Sequence, residues 1–217
     1  MGLYLNRNID NDAILGIWKI EEIFNWFIAQ LQLNNDDLQI IPSIRDKSGQ
    51  RKLHWLSTQL LLRHLLNSKK KVEIKYDQNG KPHLSNSSYQ ISISHSNKFV
   101  AIQLSKTYAG IDIQQIARKI ERIAEKFMNT QEINSLGENN YIEQLYVYWG
   151  AKETLYKIYG KRALHFKENL LIEPFEYKGK GVIKGCISIR KMKETYSLHY
   201  EKISDYMLVY VLKQINE

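Results

Sequence analysis

The segment Gly110-Ile111-Asp112-Ile113-Gln114 has residue types and a spacing that could hold a metal ion. Apolar residues flank Asp112 in a strand-like run, and side chains two residues apart on a strand project to the same side. Asp112 and Gln114 therefore share a face, and two oxygen-bearing groups that project together suit a hard cation such as Mg²⁺. The alternative for this segment alone is an aspartate that caps a turn at the end of a strand.

A second acidic residue lies in the sequence Trp149-Gly150-Ala151-Lys152-Glu153-Thr154-Leu155-Tyr156-Lys157. On a helix, Glu153 and Lys157 are one turn apart and face the same way. The same spacing is common in surface ion pairs, so this run alone does not decide between a functional site and an ordinary surface ion pair. In combination, Asp112 from a strand and Glu153 from a helix could share one Mg²⁺, and the Lys157 ammonium could neutralise phosphate oxygens beside it.

Polar and basic residues upstream of the acidic pair suit a phosphorylated ligand. Ile93-Ser94-His95-Ser96 ends an alternating strand, and its side chains either donate to a phosphate or hydroxyl or bond to the backbone of a turn. Gly80-Lys81-Pro82 alone is a turn signal. The window 45–81 contains ten basic and three acidic residues, which indicates a solvated face, a phosphate socket or a nucleic-acid patch. The basic side chains of interest in it are Arg45, Lys47, Arg51, Lys52, His54 and Arg63.

The elements that must position these residues form two similar sets. Hydrophobic periodicity predicts helices over 21–33, 53–66, 116–128 and 141–159, and strands over 14–20, 72–76, 89–94, 99–104, 109–113, 181–190, 195–200 and 206–212. We therefore predict an α+β fold of two similar subdomains, 1–107 and 108–217. Each is a small antiparallel sheet packed with a long helix, and the two are related by a pseudo-twofold arrangement.

Composition limits the class of protein. The chain has 217 residues, of which 43% are apolar and 25% charged, and its net charge of +8 favours anionic partners. The single cysteine, Cys186, excludes a disulfide within the chain and a metal cage of several cysteines. The sequence contains neither an apolar stretch long enough for a membrane span nor the pattern of a signal peptide. We therefore expect a cytoplasmic protein with no membrane partner.

The order of the motifs along the chain resembles a known family. Gly-Lys-Pro (80–82) is followed by Ser-His-Ser (94–96), Gly-Ile-Asp (110–112), the Trp-x-x-Lys-Glu-x-x-x-Lys run (149–157) and Gly-Lys (160–161). This order is similar to that of the 4′-phosphopantetheinyl transferase superfamily, in its long, pseudo-dimeric surfactin-synthetase-activator type. The resemblance implies a Mg²⁺-dependent enzyme that moves the phosphopantetheine arm of coenzyme A onto a serine of a carrier protein and releases 3′,5′-ADP. A monomer is expected, because one chain supplies both halves.

The resemblance also implies roles for the acidic pair and its neighbours. Asp112 and Glu153 would bind the metal, and Glu153 would be the base for the carrier serine. Lys157 and Lys152 would contact the pyrophosphate and order the helix. Glu153, Asp112 and Lys157 are thus the implied catalytic residues.

The remaining implied positions surround coenzyme A. Ser94 and His95 would contact its phosphates, and Lys81 and Pro82 would lie along the adenine nucleotide. Arg45, Arg51 and Lys52 are the best matches for basic residues that hold the 3′-phosphate, with His54 as a substitute for an arginine. The carrier is expected to be acidic, because like charges would repel it.

One position departs from the family pattern and keeps alternatives open. Many relatives have a glutamate two residues after the aspartate, whereas this chain has Gln114. An amide oxygen can still bind Mg²⁺, although the site loses one negative charge. A non-catalytic relative that binds coenzyme A or a carrier is therefore one alternative. A basic nucleic-acid-binding module is another, although we find no nucleic-acid-binding motif and expect no nucleic-acid partner.

Overall fold

The structure, a computed structural model, describes residues 2–33, 39, 41, 49–68, 72–85, 87–162 and 164–215. Two antiparallel sheets form its framework, one built from each half of the chain. Among the described residues, no helix is both long enough and apolar enough to cross a membrane.

The first half contains a six-stranded sheet with strand order β1-β2-β6-β5-β4-β3. Its strands are β1 (Leu3–Asn8), β2 (Ala13–Lys19), β3 (Ile74–Tyr76), β4 (Pro82–Leu84), β5 (Gln90–Ser96) and β6 (Phe99–Ser105). Its helices are α1 (Phe24–Leu31) and α2 (Gln50–Leu65). Helix α2 buries a run of leucines against β2 and β6, which gives this half its own hydrophobic core.

The second half contains a five-stranded sheet with strand order β7-β11-β10-β9-β8. Its strands are β7 (Ile111–Gln115), β8 (Leu170–Ile172), β9 (Lys180–Ile189), β10 (Met192–Ile203) and β11 (Tyr206–Ile215). A 3₁₀ helix (Arg118–Ile123) precedes helices α3 (Ala124–Phe127), α4 (Thr130–Asn134), α5 (Tyr141–Tyr159) and α6 (Phe166–Asn169). Helix α5 is the long one, and it packs on β7 and β11.

The predicted α+β class is confirmed, since each half has an antiparallel sheet packed with one long helix. The helix predicted over 141–159 is found with those bounds. The single helix predicted over 116–128 is wrong: a 3₁₀ helix is followed by one turn of α-helix, which ends where Met128 becomes extended. The predicted division at 107/108 falls in the loop between β6 and β7, and the two-domain organisation stays a prediction.

Serine side chains join the two halves along a polar seam. Strand β7 is an edge strand of its sheet, so every second backbone N–H of β7 points away from β11. The N–H groups of 111, 113 and 115 donate instead to the hydroxyls of Ser92, Ser94 and Ser96, at 3.1, 3.2 and 3.0 Å. The constant separation of 19 residues means that β5 and β7 run parallel. Apolar residues of both sheets pack together in one buried cluster, so the seam also has a hydrophobic component.

Candidate active site

Helix α5 carries Glu153 and Lys157 and lies close against β11. Gly150 permits this approach, since a Cβ atom there would be only 2.7 Å from a methyl carbon of Val209. The same hypothetical Cβ atom would lie 3.8 Å from Oδ2 of Asp112. The missing side chain at Gly150 therefore brings the helix with Glu153 next to the strand with Asp112.

Asp112 is held by one of its two carboxylate oxygens. Its side chain is 2% exposed, and Oδ1 accepts from Ser94 Oγ at 2.8 Å, Lys157 Nζ at 3.0 Å and Gln114 Nε2 at 3.3 Å. Lys157 also donates to the backbone oxygen of Ile111 at 2.7 Å. The other oxygen, Oδ2, is buried and has no hydrogen-bond partner. A buried carboxylate oxygen without a partner is costly, and it is expected where a ligand supplies the missing contact.

Glu153 has a perturbed carboxyl group beside Asp112. Burial, together with the negative charge of Asp112, raises the pKa of Glu153 to about 7, and Lys157 opposes the shift only in part. No described residue donates a hydrogen bond to this carboxyl group. Two close carboxylates, one raised in pKa and the other with an unpartnered oxygen, are only partly compensated by Lys157, so the site favours a further positive charge.

The donor set fits a magnesium ion that is also bound by a ligand. In the described part of the chain, no group of three or more His, Cys, Asp and Glu side chains is placed to hold a metal. Mg²⁺, however, is usually bound by only one or two carboxylates together with substrate phosphates and water. Asp112 and Glu153 meet that requirement, and Gln114 adds an amide next to them.

A cleft between the two halves adjoins the acidic pair at Lys157. Its volume is about 750 Å³, within the usual range for small-molecule sites. Of the predicted site residues, Arg51, Lys81, Pro82, His95 and Lys157 line it. The sequence analysis assigned no role to other lining residues, which include Trp55, Tyr156 and Lys161.

Two stacked imidazoles lie on the wall of the cleft. The rings of His54 and His95 are 4.4 Å apart and nearly parallel. His54 is buried, its Nε2 is 2.7 Å from the Asn97 backbone oxygen, and its Nδ1 has no partner. Burial lowers the pKa of His95, and nearby His54 and Lys157 act in the same direction. The neutral form of His95 is therefore favoured, and a bound anion would favour the charged form.

Two residues that were predicted to contact the ligand form hydrogen bonds within the protein instead. Ser94 is 5% exposed, and its hydroxyl bonds to Asp112. Lys81 lines the cleft but donates to the backbone oxygen of Ile158 at 2.9 Å, where α5 ends, and so joins the two halves.

Three further predicted residues lie away from the cleft or cannot be placed in it. The amine of Lys152 is fully buried and is paired with Glu132, and Lys152 does not line the cleft. Lys52 is not among the residues that line the cleft. Arg45 lies outside the described residues, as does the basic run 69–71.

The partner of Lys152 is a residue that sequence reasoning missed. Its Nζ is 2.7 Å from Glu132 Oε2 and 3.0 Å from the backbone oxygen of Phe166. Glu132 also accepts hydrogen bonds from the backbone N–H groups of Asn129 and Ile172, so both of its carboxylate oxygens have a partner. The Asn129-x-x-Glu132 spacing is a capping-box signal that could have been recognised in the sequence. Lys152 therefore anchors α5 one residue before Glu153.

Part of the chain is similar to known proteins. Residues 108–210 match the family model of the 4′-phosphopantetheinyl transferase superfamily. A curated relative, the 4′-phosphopantetheinyl transferase gsp of Aneurinibacillus migulanus, is 33% identical over 73 residues. The aligned part covers 32% of this chain and 31% of that protein, about a third of its length. The resemblance inferred from the motifs is thereby confirmed.

Proposed function

We propose that the protein transfers the 4′-phosphopantetheine arm of coenzyme A to a serine of an acyl or peptidyl carrier protein in a Mg²⁺-dependent reaction. The observation that carries this proposal is the acidic pair Asp112 and Glu153 beside Lys157, at a cleft lined with cations. Neutralising and positioning a pyrophosphate is most of what phosphoryl transfer requires.

Asp112 and Glu153 would hold the magnesium ion, with Gln114 as a third oxygen donor. The buried, unpartnered Oδ2 of Asp112 supports this assignment. When bound, the ion supplies charge to polarise the pyrophosphate and to stabilise the departing 3′,5′-ADP.

The chain's own residues provide orientation and a proton acceptor. Lys157 places a positive charge where the cleft meets Asp112, and it can exchange its bond to Oδ1 for one to a phosphate oxygen. Arg51 and Lys161 extend the positive lining along the cleft, and His95 adds an imidazole to it. The carrier serine oxygen forms a bond to phosphorus as the bond to the nucleotide phosphate oxygen breaks, and that oxygen keeps the electron pair. Glu153 accepts the serine proton, directly or through water.

The partners follow from the same chemistry. A basic chain favours an acidic carrier, and one chain supplies both walls of the cleft, which suits a monomer. The cation-lined wall would hold the nucleotide end of coenzyme A.

The test is transfer to purified apo-carrier proteins, followed by mass spectrometry. Wild-type protein with coenzyme A and Mg²⁺ should add one phosphopantetheine arm per carrier, and chelation of the metal should stop transfer. Glu153→Gln and Asp112→Asn should lower kcat at least 100-fold, whereas Glu143→Gln on the same helix should not. If no carrier from several carrier classes is modified, the proposal of catalysis is wrong.

A second candidate is a non-catalytic protein that binds coenzyme A. The specific observation is Gln114, whose neutral amide donates to Asp112. A glutamate at this position would add one negative charge to the metal site. Coenzyme A binding by calorimetry, without transfer to any carrier, would favour this alternative.

A further inference from the structure

The serine seam between β5 and β7 contains one member that differs from the others. All three hydroxyls accept a backbone N–H of β7. Only Ser94 also bonds to a carboxylate, at Asp112 Oδ1. The first half of the chain thus contacts an acidic residue of the site through Ser94.

Proton accounting fixes the direction of this bond. A serine hydroxyl has one proton and can accept through its lone pairs. Because the Ile113 N–H already donates to Ser94 Oγ, the serine proton is free for an acceptor, and the Asp112 carboxylate is 2.8 Å away. Ser94 therefore donates to the side chain of Asp112 while it accepts from the N–H of Ile113, the next residue of β7.

The bond determines which carboxylate oxygen remains available. Ser94, Lys157 and Gln114 all donate to Oδ1 of Asp112, and Oδ2 has no partner. Lys157 and Gln114 have longer side chains, and the proposed function assigns Lys157 to a phosphate oxygen and Gln114 to the metal ion. Ser94 is the donor fixed on a central strand, with both of its bonds inside the protein.

We propose that Ser94 is a positioning residue, which orients the Asp112 carboxylate so that Oδ2 is presented to a divalent cation. The inference rests on the proposed function, because it assumes the cation site. It differs from the role implied by the family resemblance, in which Ser94 contacts a phosphate of coenzyme A. The bond crosses the seam, so the affinity for the cation depends on docking of the two halves.

The matched variants are Ser94→Ala and Ser96→Ala. Both remove a hydroxyl that accepts an N–H from β7, but Ser96 has no bond to a carboxylate among the described residues. Ser94→Cys is the second variant, since its thiol fills the same space with a weak donor and leaves no cavity. Thermal unfolding in the presence of a chelator confirms that each variant is folded.

The measurement is Mn²⁺ binding by electron paramagnetic resonance on the full chain with saturating coenzyme A. Ser94→Ala and Ser94→Cys should weaken Mn²⁺ binding by about 10–100-fold, the usual effect of removing a hydrogen bond to a metal ligand. Ser96→Ala should bind Mn²⁺ as wild type does. In the transfer assay, the Ser94 variants should raise the KM for Mg²⁺ more than the KM for coenzyme A.

The outcomes separate this inference from the proposed function. If wild-type protein binds Mn²⁺ but the Ser94 variants bind it as tightly as Ser96→Ala does, the positioning role is overturned and the proposed function stands. A higher KM for coenzyme A with unchanged Mn²⁺ affinity would assign Ser94 to the phosphate instead and also overturn the inference. If wild-type protein does not bind Mn²⁺, the proposed metal site is wrong and the inference fails with it.

Discussion

Glu153→Gln is expected to stabilise the metal-free protein at alkaline pH, although it should abolish transfer. Folding places this carboxyl group in a desolvated position beside Asp112 and raises its pKa from its ordinary value of 4.5 to about 7. Above pH 7 the folded protein must therefore hold a half-buried negative charge that the unfolded chain exposes to water. Glutamine has nearly the same shape and is never charged, so the variant avoids this cost.

The magnitude follows from the two pKa values. At pH 8.5 the carboxyl group is ionised in both states, and the shift corresponds to about 3 kcal/mol against folding. At pH 5 the folded form keeps its proton and the cost is about 1 kcal/mol. Because the folded pKa is the higher one, the cost develops as the pH rises from about 4.5 to about 7. Glu153→Gln should thus gain about 2 kcal/mol more stability at pH 8.5 than at pH 5.

Urea unfolding with a chelator at the two pH values measures this difference. Glu143→Gln is the matched control on the same helix, since a hydrogen bond from Lys202 lowers the pKa of Glu143. The stability from that bond is present above pH 4.5 and is lost only as the pH falls further, so the control should lose a similar, small amount at pH 5 and 8.5. An equal effect of Glu153→Gln at both pH values would refute the reasoning. Added Mg²⁺ and coenzyme A should stabilise wild type more than the variant, which keeps the cation-lined wall but loses one of the two carboxylates.

Two further predictions concern the supports of the site. Lys152→Met leaves the buried Glu132 carboxylate without its cation and should destabilise the protein by roughly 3–5 kcal/mol in urea unfolding. The control is Lys178→Met, at an exposed ion pair, which should have almost no effect. Similar losses for both variants would count against a buried pair. Gly160, just after α5, has the left-handed conformation, and Gly160→Ala would place a Cβ atom there against Lys81. The substitution should lower the free energy of unfolding by about 1–2 kcal/mol. An unchanged free energy of unfolding would show that this turn is not constrained.

The long elements of the fold could be predicted from the sequence because they have strong periodic patterns. Helix α5 is an example: Gly160 in the left-handed conformation ends it where the pattern stops. The short strands β1, β4 and β8 were not predicted, since three to six residues contain little periodicity and two of these strands lie at sheet edges. The run after β7 contains apolar residues at helical spacing, but it is a 3₁₀ helix with one α-turn, which spacing alone does not distinguish.

The sequence predicts which types of residue form the candidate site better than it predicts the contacts between them. The structure brings Asp112, Glu153 and Lys157 together as the motif order indicated, although their catalytic roles stay proposals. Lys152 shows the limit, because a lysine beside a catalytic position is indistinguishable in sequence from one that faces the ligand. Its partner Glu132 is 20 residues away on another helix, and only tertiary packing reveals that the pair is buried.

The serine seam gives a way to observe docking of the two halves. Alternate amides of β7 bond within their own sheet, while those of 111, 113 and 115 depend on hydroxyls from the other half. Hydrogen exchange at these three amides should therefore follow separation of the halves, and exchange at 112 and 114 should follow unfolding of the sheet. A single five-residue strand would then report two different opening events, residue by residue, without an attached probe.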